Sequence, residues 1–521
     1  MDTKALRQKI LDLAIRGKLV PQDPNDEPAE VLLERIREQK QQMLKEGKLK
    51  KKDIKNDTII FKGEDNLHYE KFQDGTVKCI EDEIPFEVPE GWEWTRLGSV
   101  FSTATGSTPS TKDSSLYGTD YPFYKPTDLD AGYNVLTSED FVSKKGYCSG
   151  RQLPKFSVLV TCIGTIGKTG YIRKAGICNQ QINAILPTDE IMSEYVYFCM
   201  CSQFEQQQIQ MNSSATTLPI LNKRKFDNLL FLIPPHKQQL LIVDKIQSLL
   251  SSVDEIQNNQ AILRNTVTET KAKILDLAIR GKLVPQDSND EPASVLLERI
   301  SSEKEELIKQ GKIKRDKKES VIFKGDDNSY YLRTGRVEES LEDWRFDDLP
   351  ETWKICCLGE LCDYGNCINV NTEDIAEDAW ILDLEDIEKD TGTVLKKVTK
   401  NQRNSVSTKH KFHSGQVLYS KLRPYLNKVV LSDADGYCTS EILPLEFKNC
   451  VLPEYARYYL MSGTFIAYAN HCSYGVKMPR LGTTDGKKAI FSLPPLSEQK
   501  RIVETIDFCF VQLNKISEAL A

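Results

Sequence analysis

The stretch KILDLAIRGKLVPQDPNDEPAEVLLERI, Lys9–Ile36, decides the architecture of this chain because it recurs as KILDLAIRGKLVPQDSNDEPASVLLERI at Lys273–Ile300. The copies differ only at Pro24/Ser288 and Glu30/Ser294. The segments between and after the copies are much less alike. A nearly fixed segment joined to divergent segments indicates a frame that carries two different modules, and such a repeat constrains the fold before any local pattern does.

The repeat extends through both halves of the chain. PPHKQQLLIV at 234–243 returns as PPLSEQKRIV at 494–503, and IFKG at 60–63 returns at 322–325. The second repeat is cut short at Ala521, and its missing piece stands at the N-terminus. This layout is a circularly permuted internal repeat, and it predicts that the two chain ends meet in space.

The composition is that of an ordinary globular protein. With 521 residues, 40% hydrophobic and 28% charged, the chain has room for several domains. No apolar run approaches the roughly 20 residues of a membrane span, and the N-terminus lacks the apolar region of a signal peptide. The 14 cysteines form no CxxC pair. We therefore expect a cytoplasmic protein with reduced thiols, no membrane contact and no metal site.

Basic residues are concentrated in two stretches that contain no acid, although the net charge is −7. These stretches are 141–188 and 391–432, and they fall at similar places in the two modules. A charge run is by default a solvated face. Its occurrence in both modules favours a surface for a polyanion such as DNA.

A heptad pattern connects the modules. The apolar spacing alternates four and three from Ile242 onward, which predicts a coiled coil in one helix from His236 to Ile279 that stops at Gly281. The two chain ends repeat the two halves of this pattern, so they can form a second rod antiparallel to the first. An intermolecular coiled coil is the alternative. The predicted seam consists of Leu6, Ile10, Leu13, Ile242, Ile246, Leu249, Val253, Ile256, Leu263, Val267, Ile274, Leu277, Ile502, Ile506, Leu513 and Ile516.

The modules themselves indicate a mixed α/β (α+β) fold. Short β-rich runs such as 157–162 and 416–420 alternate with turns, and each module has one apparent helix, at 193–210 and at 453–469. The predicted segments are 1–50 (N-terminal conserved helix and connector), 51–235 (first module), 236–318 (central helix and connector), 319–495 (second module) and 496–521 (C-terminal helix).

Catalytic motifs are nearly absent. GTIGKT at 164–169 resembles a phosphate loop, but Cys162 occupies the position where the Walker pattern needs glycine. Glu446-Phe447-Lys448 has the ExK form of a nuclease without its Pro-Asp partner. The sequence therefore favours a binding protein over a fused nuclease or methyltransferase. A coiled-coil adaptor without a DNA role is opposed by the two acid-free basic stretches.

At this point the chain resembles the specificity subunit of Type I restriction–modification enzymes along essentially its whole length. The motifs that carry the resemblance are ILDLAIRGKLVPQ at 10–22 and its copy at 274–286, PEGW at 89–92, TGSTPS at 105–110, YSKLRPYLNK at 419–428 and the two Pro-Pro helix starts.

The resemblance implies two target recognition domains separated by an antiparallel pair of long coiled-coil helices, each domain reading one half of a bipartite site in double-stranded DNA. It implies no catalysis and no cofactor in this subunit. It also implies two modification subunits, which methylate adenine, and restriction subunits, which translocate and cleave. S-adenosylmethionine, ATP and Mg are expected on those partners.

The two modules depart from each other, so their half-sites should differ. TGSTPS in the first module is replaced by YGNC at 364–367 in the second, and KLRPYLNK in the second replaces IGTIGKTG at 163–170 in the first. Arg423 and Asn427 could read guanine and adenine edges, or could serve the loop structure instead. The DNA-binding candidates are Ser107, Thr108, Lys144, Lys145, Lys168, Arg173, Lys396, Lys397, Lys409, Lys411, Lys421, Arg423, Asn427 and Lys428.

Overall fold

The computed structural model describes residues 2–51, 54–214, 219–312, 320–327, 329–341, 348–403 and 407–520. The chain divides into two compact units, Met1–Asn259 and Gln260–Ala521. Each unit combines helices with small sheets, so the predicted mixed α/β fold is confirmed. The predicted boundary at residues 318 and 319 lies outside the described residues.

The helices differ greatly in length. Within the described ranges, no helix combines the length and the apolar character needed to cross a bilayer. The helices are α1 (Thr3–Ile15), α2 (Ala29–Lys45), α3 (Leu97–Val100), α4 (Lys144–Ser149), α5 (Ser193–Met200), α6 (Gln203–Asn212), α7 (Lys223–Asp227), α8 (His236–Ile279), α9 (Ala293–Lys309), α10 (Leu358–Leu361), α11 (Pro453–Leu460), α12 (Gly463–His471), α13 (Thr483–Lys488) and α14 (Leu496–Ala519).

Helix α8 has the bounds that the sequence predicts, His236 to Ile279, and the division between the two units falls within it. Its interior contains neither glycine nor proline, which keeps the hydrogen-bond ladder intact. It ends before Gly281, whose φ is +65°. A Cβ at Gly281 would lie 2.5 Å from the Pro350 ring, so this position admits only glycine.

The first copy of the repeated segment uses the same device. Helix α1 ends at Ile15, and Gly17 follows with φ +65°. A Cβ at Gly17 would lie 2.3 Å from the Pro89 ring. The Trp92 Nε1–H donates to Gln22 Oε1 at 2.9 Å, which binds the segment after α1 to the start of the first module. In both units this junction therefore has a left-handed glycine packed against a proline ring, whereas the tryptophan partner differs, since Trp353 Nε1–H donates to Glu498.

The strands of the first unit form four small sheets. Their orders are β1-β2-β3, β10-β6-β7, β5-β11-β8-β9 and β12-β4. The strands are β1 (Ile59–Lys62), β2 (His68–Lys71), β3 (Val77–Cys79), β4 (Glu93–Arg96), β5 (Thr103–Thr105), β6 (Tyr117–Tyr124), β7 (Asp140–Val142), β8 (Val158–Thr161), β9 (Thr169–Tyr171), β10 (Ile177–Cys178), β11 (Ile182–Ile185) and β12 (Leu230–Ile233).

The second unit follows the same plan with a larger central sheet. Its orders are β13-β14-β15, β16-β27, β17-β20-β23-β18-β19, β22-β21-β24 and β25-β26. The strands are β13 (Ser320–Lys324), β14 (Tyr330–Thr334), β15 (Val337–Ser340), β16 (Lys354–Cys357), β17 (Ile368–Val370), β18 (Trp380–Leu382), β19 (Val398–Thr399), β20 (Lys409–Phe412), β21 (Val417–Ser420), β22 (Val429–Leu431), β23 (Gly436–Thr439), β24 (Ile442–Leu445), β25 (Ser473–Tyr474), β26 (Arg480–Leu481) and β27 (Ile490–Leu493).

The single helix predicted in each module is wrong, because each is a pair of helices. The range 193–210 is divided into α5 and α6, and 453–469 into α11 and α12. The break falls at a serine in both modules. The side chains of Ser202 and Ser462 each accept the backbone N–H of the residue three positions on, at 3.3 Å, and so cap the second helix.

Helices α8 and α14 pack together within the second unit. Arg264 donates to the carbonyl of Leu520, and Lys271 Nζ donates to Asn514 Oδ1 at 2.6 Å. The residue numbers run in opposite directions along the pair, so the two helices are antiparallel. In the first unit, Arg7 of α1 forms an ion pair with Asp254 of α8.

The predicted seam positions differ in burial. Leu263 and Ile516 are each 45% exposed, and both lie where α14 ends, so less chain is available to cover them. Buried are Ile10, Ile242, Ile246, Val253, Val267, Ile502 and Ile506, and partly buried are Leu6, Leu13, Leu249, Ile256, Ile274, Leu277 and Leu513.

At the end of α8 the buried side is not the predicted one. Leu275, Ala278 and Ile279 are buried, whereas Ile274 and Leu277 are only partly so. The three buried residues belong to one hydrophobic core with residues of β16 and β27. The helix packs there against a sheet as well as against α14, and this widens its apolar face beyond a coiled-coil seam.

Candidate nucleic-acid interface

Loops of the first unit meet at one corner of the sheet β5-β11-β8-β9. The Ser107 N–H donates to the Cys178 carbonyl at 2.9 Å, which joins the loop after β5 to the turn before β11. The Cys162 N–H donates to the Gln181 carbonyl at 2.7 Å and adds the loop after β8. A Cβ at Gly106 would lie 2.1 Å from a backbone carbonyl, so the loops approach each other as closely as glycine allows.

A fourth segment, before α7, completes this corner. The Gly164 N–H donates to the Pro219 carbonyl at 3.1 Å, and the Leu221 N–H donates to the Cys162 carbonyl at 2.9 Å. Residues 215–218 lie outside the described residues. We call the surface formed by residues 106–108, 162–164, 179–181 and 219–221 the first corner.

The second unit forms the corresponding corner from a different amino-acid sequence. The Lys421 N–H donates to the Glu441 carbonyl at 3.0 Å, and the Arg423 N–H donates to the Pro479 carbonyl at 2.7 Å. The Leu481 N–H donates to the Lys421 carbonyl at 3.0 Å. We call the surface formed by residues 421–423, 439–441 and 473–481 the second corner.

The two corners share backbone contacts and differ in side-chain chemistry. In the first corner, Thr108 Oγ1 lies 2.5 Å from Gln180 Oε1, and the neighbouring groups are neutral amides. In the second, Arg480 binds both carboxylate oxygens of Glu441 at 2.8 to 3.1 Å, and Arg423 is exposed. One frame therefore presents neutral hydrogen-bonding groups in one unit and charged groups in the other.

The basic candidates of the first unit lie at the surface, and most of them have partners. Lys144 is exposed and heads helix α4. Lys145 Nζ lies 3.1 Å from Asp113 and is also exposed. Lys168 Nζ lies 2.6 Å from Asp130. Because the acid of each pair is solvent-exposed, the pairs contribute little to stability and can open at small cost to meet phosphates.

Arg173 is held against two aromatic rings. Its guanidinium lies 4.6 Å from the ring centroid of Tyr133 and 4.4 Å from that of Tyr171. Its Nη2 also donates to the Tyr133 carbonyl at 3.2 Å. This arrangement fixes the side chain and leaves the guanidinium less accessible to DNA than the sequence indicates.

In the second unit, three of the candidates are exposed lysines. Lys411 is exposed on β20. Lys396 Nζ lies 3.8 Å from Asp386. Lys397 Nζ lies 2.7 Å from Asp433 and 4.7 Å from the ring centroid of Trp380. These three amines can reach a ligand in solvent.

The sequence predicts DNA contacts for Lys409 and Asn427, but the structure buries both side chains, which argues against this part of the prediction. The Lys409 side chain is 3% exposed, and its amine lies 3.1 Å from Ser407 Oγ. Lys409 lies on β20, between β17 and β23 of the five-stranded sheet, and its amine also lies 3.9 Å from Asp383. Asn427 is 8% exposed, and its Nδ2 donates to the Met461 carbonyl at 3.4 Å. The position of Asn427 argues against the adenine contact considered for it.

The loop from Lys421 to Lys428 takes an unusual backbone path. Arg423 and Asn427 both have left-handed φ values, +51° and +49°, and they flank a 3-10 turn over Pro424–Leu426. Arg423 points its side chain into solvent, whereas the amine of Lys428 donates to the Leu384 carbonyl at 2.6 Å. Burial lowers the pKa of Lys428. Arg423 is thus better placed for DNA than Lys428.

A hairpin of the second corner was not predicted from sequence. Strands β25 and β26 bracket the loop 475–479, in which Val476 is fully exposed at 101% and Lys477 is exposed. The signal that could have identified it is the run YGVKMPR, in which Gly475 and Pro479 bound a short apolar segment.

The structure gives the phosphate-loop resemblance no support. GTIGKT leads directly into strand β9, whereas a phosphate loop leads into the helix whose N-terminus binds the phosphate. Among the described residues, no group of three or more His, Cys, Asp or Glu side chains could hold a metal ion. What the corners offer is hydrogen-bond donors, acceptors and positive charge.

Comparison with known proteins decides the family. The family model described as "Type I restriction modification DNA specificity domain" matches residues 89–264 and 350–519, more than half of the chain. The chain belongs to this family. As a DNA specificity subunit of a Type I restriction–modification system, it has two target recognition domains and is the non-catalytic part of the complex.

Individual members of the family resemble the chain along most of its length. It is 27% identical to the Type I restriction enzyme EcoAI specificity subunit of Escherichia coli, covering 98% of this chain and 90% of that one. It is 28% identical to the EcoEI specificity subunit of Escherichia coli, over 69% of this chain and 61% of that one. A solved structure described under complex assembly and conformational transition of the type I R-M system has the same fold, with a TM-score of 0.53, 16% identity and coverage of 84% and 94%.

Proposed function

We propose that this specificity subunit reads an asymmetric bipartite site in double-stranded DNA, with one half-site recognised at each corner, and that it directs adenine methylation or restriction by partner subunits. The observation that carries this proposal is the pair of corners with one backbone frame and unlike side chains. Base-specific readout depends on the donors and acceptors that a protein presents. Two surfaces that differ in these groups favour different sequences.

The charge of each corner suggests the character of its half-site. The Thr108 and Gln180 groups of the first corner suit base edges that offer both a donor and an acceptor, as adenine does. Arg423 of the second corner suits guanine, whose O6 and N7 are both acceptors. The exposed lysines of both acid-free stretches meet phosphates, which fix register without carrying sequence information.

Catalysis and cofactors belong to the partners in this proposal. Modification subunits supply S-adenosylmethionine and the methyl transfer, and restriction subunits supply ATP- and Mg-dependent translocation and cleavage. The specificity subunit contributes the choice of site.

Methylome sequencing tests this function. Cells that express the chain with its modification subunit should acquire methylated adenines in one motif, made of two unlike specified halves around an unspecified spacer. A chimera in which residues 357–489 replace 96–229 carries the second corner twice, and it should methylate a motif with two like halves. A contiguous motif, or no new motif with a correctly assembled complex, contradicts the proposal.

A further inference from the structure

Hairpin β25–β26 of the second unit presents an apolar tip to solvent. Val476 is 101% exposed, Tyr474 61% and Met478 43%. Isolated exposed apolar residues are normal on protein surfaces. These three, however, lie on one short hairpin at the second corner, so the apolar groups form a projection rather than scattered positions.

The loop is fixed by backbone contacts. The Arg423 N–H donates to the Pro479 carbonyl at 2.7 Å, which binds one side of the loop to the neighbouring 3-10 turn. Arg480 Nη1 donates to the Met478 carbonyl at 3.2 Å. Gly475 takes φ +97°, a conformation that other residues rarely adopt, and it reverses the chain just before Val476. The tip is therefore held in place before any ligand binds.

The charges around the tip are positive. Lys477 lies on the loop itself, and Lys421 and Arg423 lie on the adjoining segment. The neighbouring acid, Glu441, is engaged by Arg480 through both carboxylate oxygens, so its charge is offset. An apolar projection with a cationic rim complements duplex DNA, which offers apolar base surfaces and thymine methyl groups between two rows of phosphates.

We propose that the tip of this hairpin enters a groove of the second half-site and that the Val476 side chain touches bases there, while Lys477 meets a phosphate. This proposal rests on the function proposed above. A two-stranded ribbon is narrow enough for the major groove of B-form DNA. Val476 is then a specificity-determining residue, because an apolar contact with a base edge discriminates between bases where a phosphate contact does not.

The test compares Val476→Ala and Lys477→Ala in the full chain assembled with its modification subunits. The matched control is Val337→Ala, an apolar residue of β15 that is 58% exposed in the same unit and remote in sequence from the second corner. Because all three side chains are exposed, the variants should unfold at the wild-type midpoint, and this is measured first.

Val476→Ala should weaken binding to the bipartite site about tenfold, the size expected for one lost base contact. The dependence of affinity on salt should stay unchanged, since no phosphate contact is lost. Lys477→Ala should instead flatten the salt dependence by about one charge. The methylome of Val476→Ala should relax at one position of the second half-site, with the first half-site unaltered.

Two modified DNAs distinguish the base surface that is touched. Uracil in place of one thymine reproduces the loss, without adding to Val476→Ala, if the contact is a thymine methyl group. A rise in 2-aminopurine fluorescence on binding, absent with Val476→Ala, shows a base step opened by the side chain. Wild-type affinity and motif for Val476→Ala overturn the inference, while a bipartite motif for the wild-type complex leaves the proposed function standing.

Discussion

A buried ion pair in the first unit is replaced by apolar residues in the second, and this exchange can be tested by a double-mutant cycle. Arg96 of β4 binds Glu70 of β2 through Nε at 3.0 Å and Nη2 at 2.8 Å, and their side chains are 6% and 4% exposed. The corresponding residues of the second unit are Leu332 and Cys357, which are buried in one apolar cluster. The same small sheet thus exists with either pair.

The expected magnitudes follow from this geometry. Glu70→Leu leaves the Arg96 guanidinium buried with Glu83 as its remaining acid, at 2.7 Å. Arg96→Cys leaves the Glu70 carboxylate with Thr58 as its remaining bonded side chain, at 2.7 Å. Removing one member of a buried pair costs about 3–5 kcal/mol, and we expect the lower end because each leftover group keeps at least one partner. The double variant should cost less than about 1 kcal/mol, because replacing both members by apolar residues is close to neutral.

The assay is hydrogen exchange of the β1–β3 segment at increasing urea, measured for the wild type, both single variants and the double variant. Local exchange reports the free energy of opening this segment without assuming that the whole chain unfolds in one step. Glu338→Ala, followed in the equivalent β13–β15 segment, is the control, because its ion pair with Arg333 is 52% and 51% exposed and should contribute at most about 1 kcal/mol. Additive losses in the double variant, within about 0.5 kcal/mol, would refute the reasoning.

Three further predictions concern pH, salt and catalysis. Burial, with repulsion from Glu30, raises the pKa of Glu93 from 4.5 to about 7, so the folded state binds a proton that the unfolded state releases. The free energy of unfolding should therefore fall as the pH rises from about 5 to 7, by at most about 3 kcal/mol. Urea titrations measure this decrease, and Glu93→Gln should abolish it. A variant with the same decrease would contradict the prediction. Arg423→Ala should reduce the slope of log affinity against log salt by about 0.9. Lys428→Ala should change this slope much less, because the Lys428 amine donates to a carbonyl. Equal effects of the two variants in a binding titration would contradict the placement of Arg423, and not Lys428, against the DNA. The isolated chain should transfer no methyl group from labelled S-adenosylmethionine to DNA. Incorporation of label without a partner subunit would show that the chain itself catalyses methyl transfer.

The sequence by itself determined the repeat, the bounds of α8 and the family. Helix α8 could be predicted because its signals are local: an apolar period, an interior without glycine or proline, and Gly281 as its stop. The identical letters around Gly17 and Gly281 likewise predict equal junctions, since each glycine faces a proline that excludes a Cβ. The meeting of the two chain ends in a second rod stays a prediction.

Only the tertiary structure decided which polar residues face solvent. Lys409 and Lys411 stand two positions apart in one basic run, yet the first is buried in the central sheet and the second is exposed. Arg423 and Asn427 lie in one loop, yet the first is exposed and the second is buried. This difference, and the docking of 479–481 against Lys421, depend on contacts between residues distant in the chain. Charge patterns predict a region for the interface because they reflect composition. They could not identify its side chains, because burial is set by which segments distant in the chain pack over each side chain.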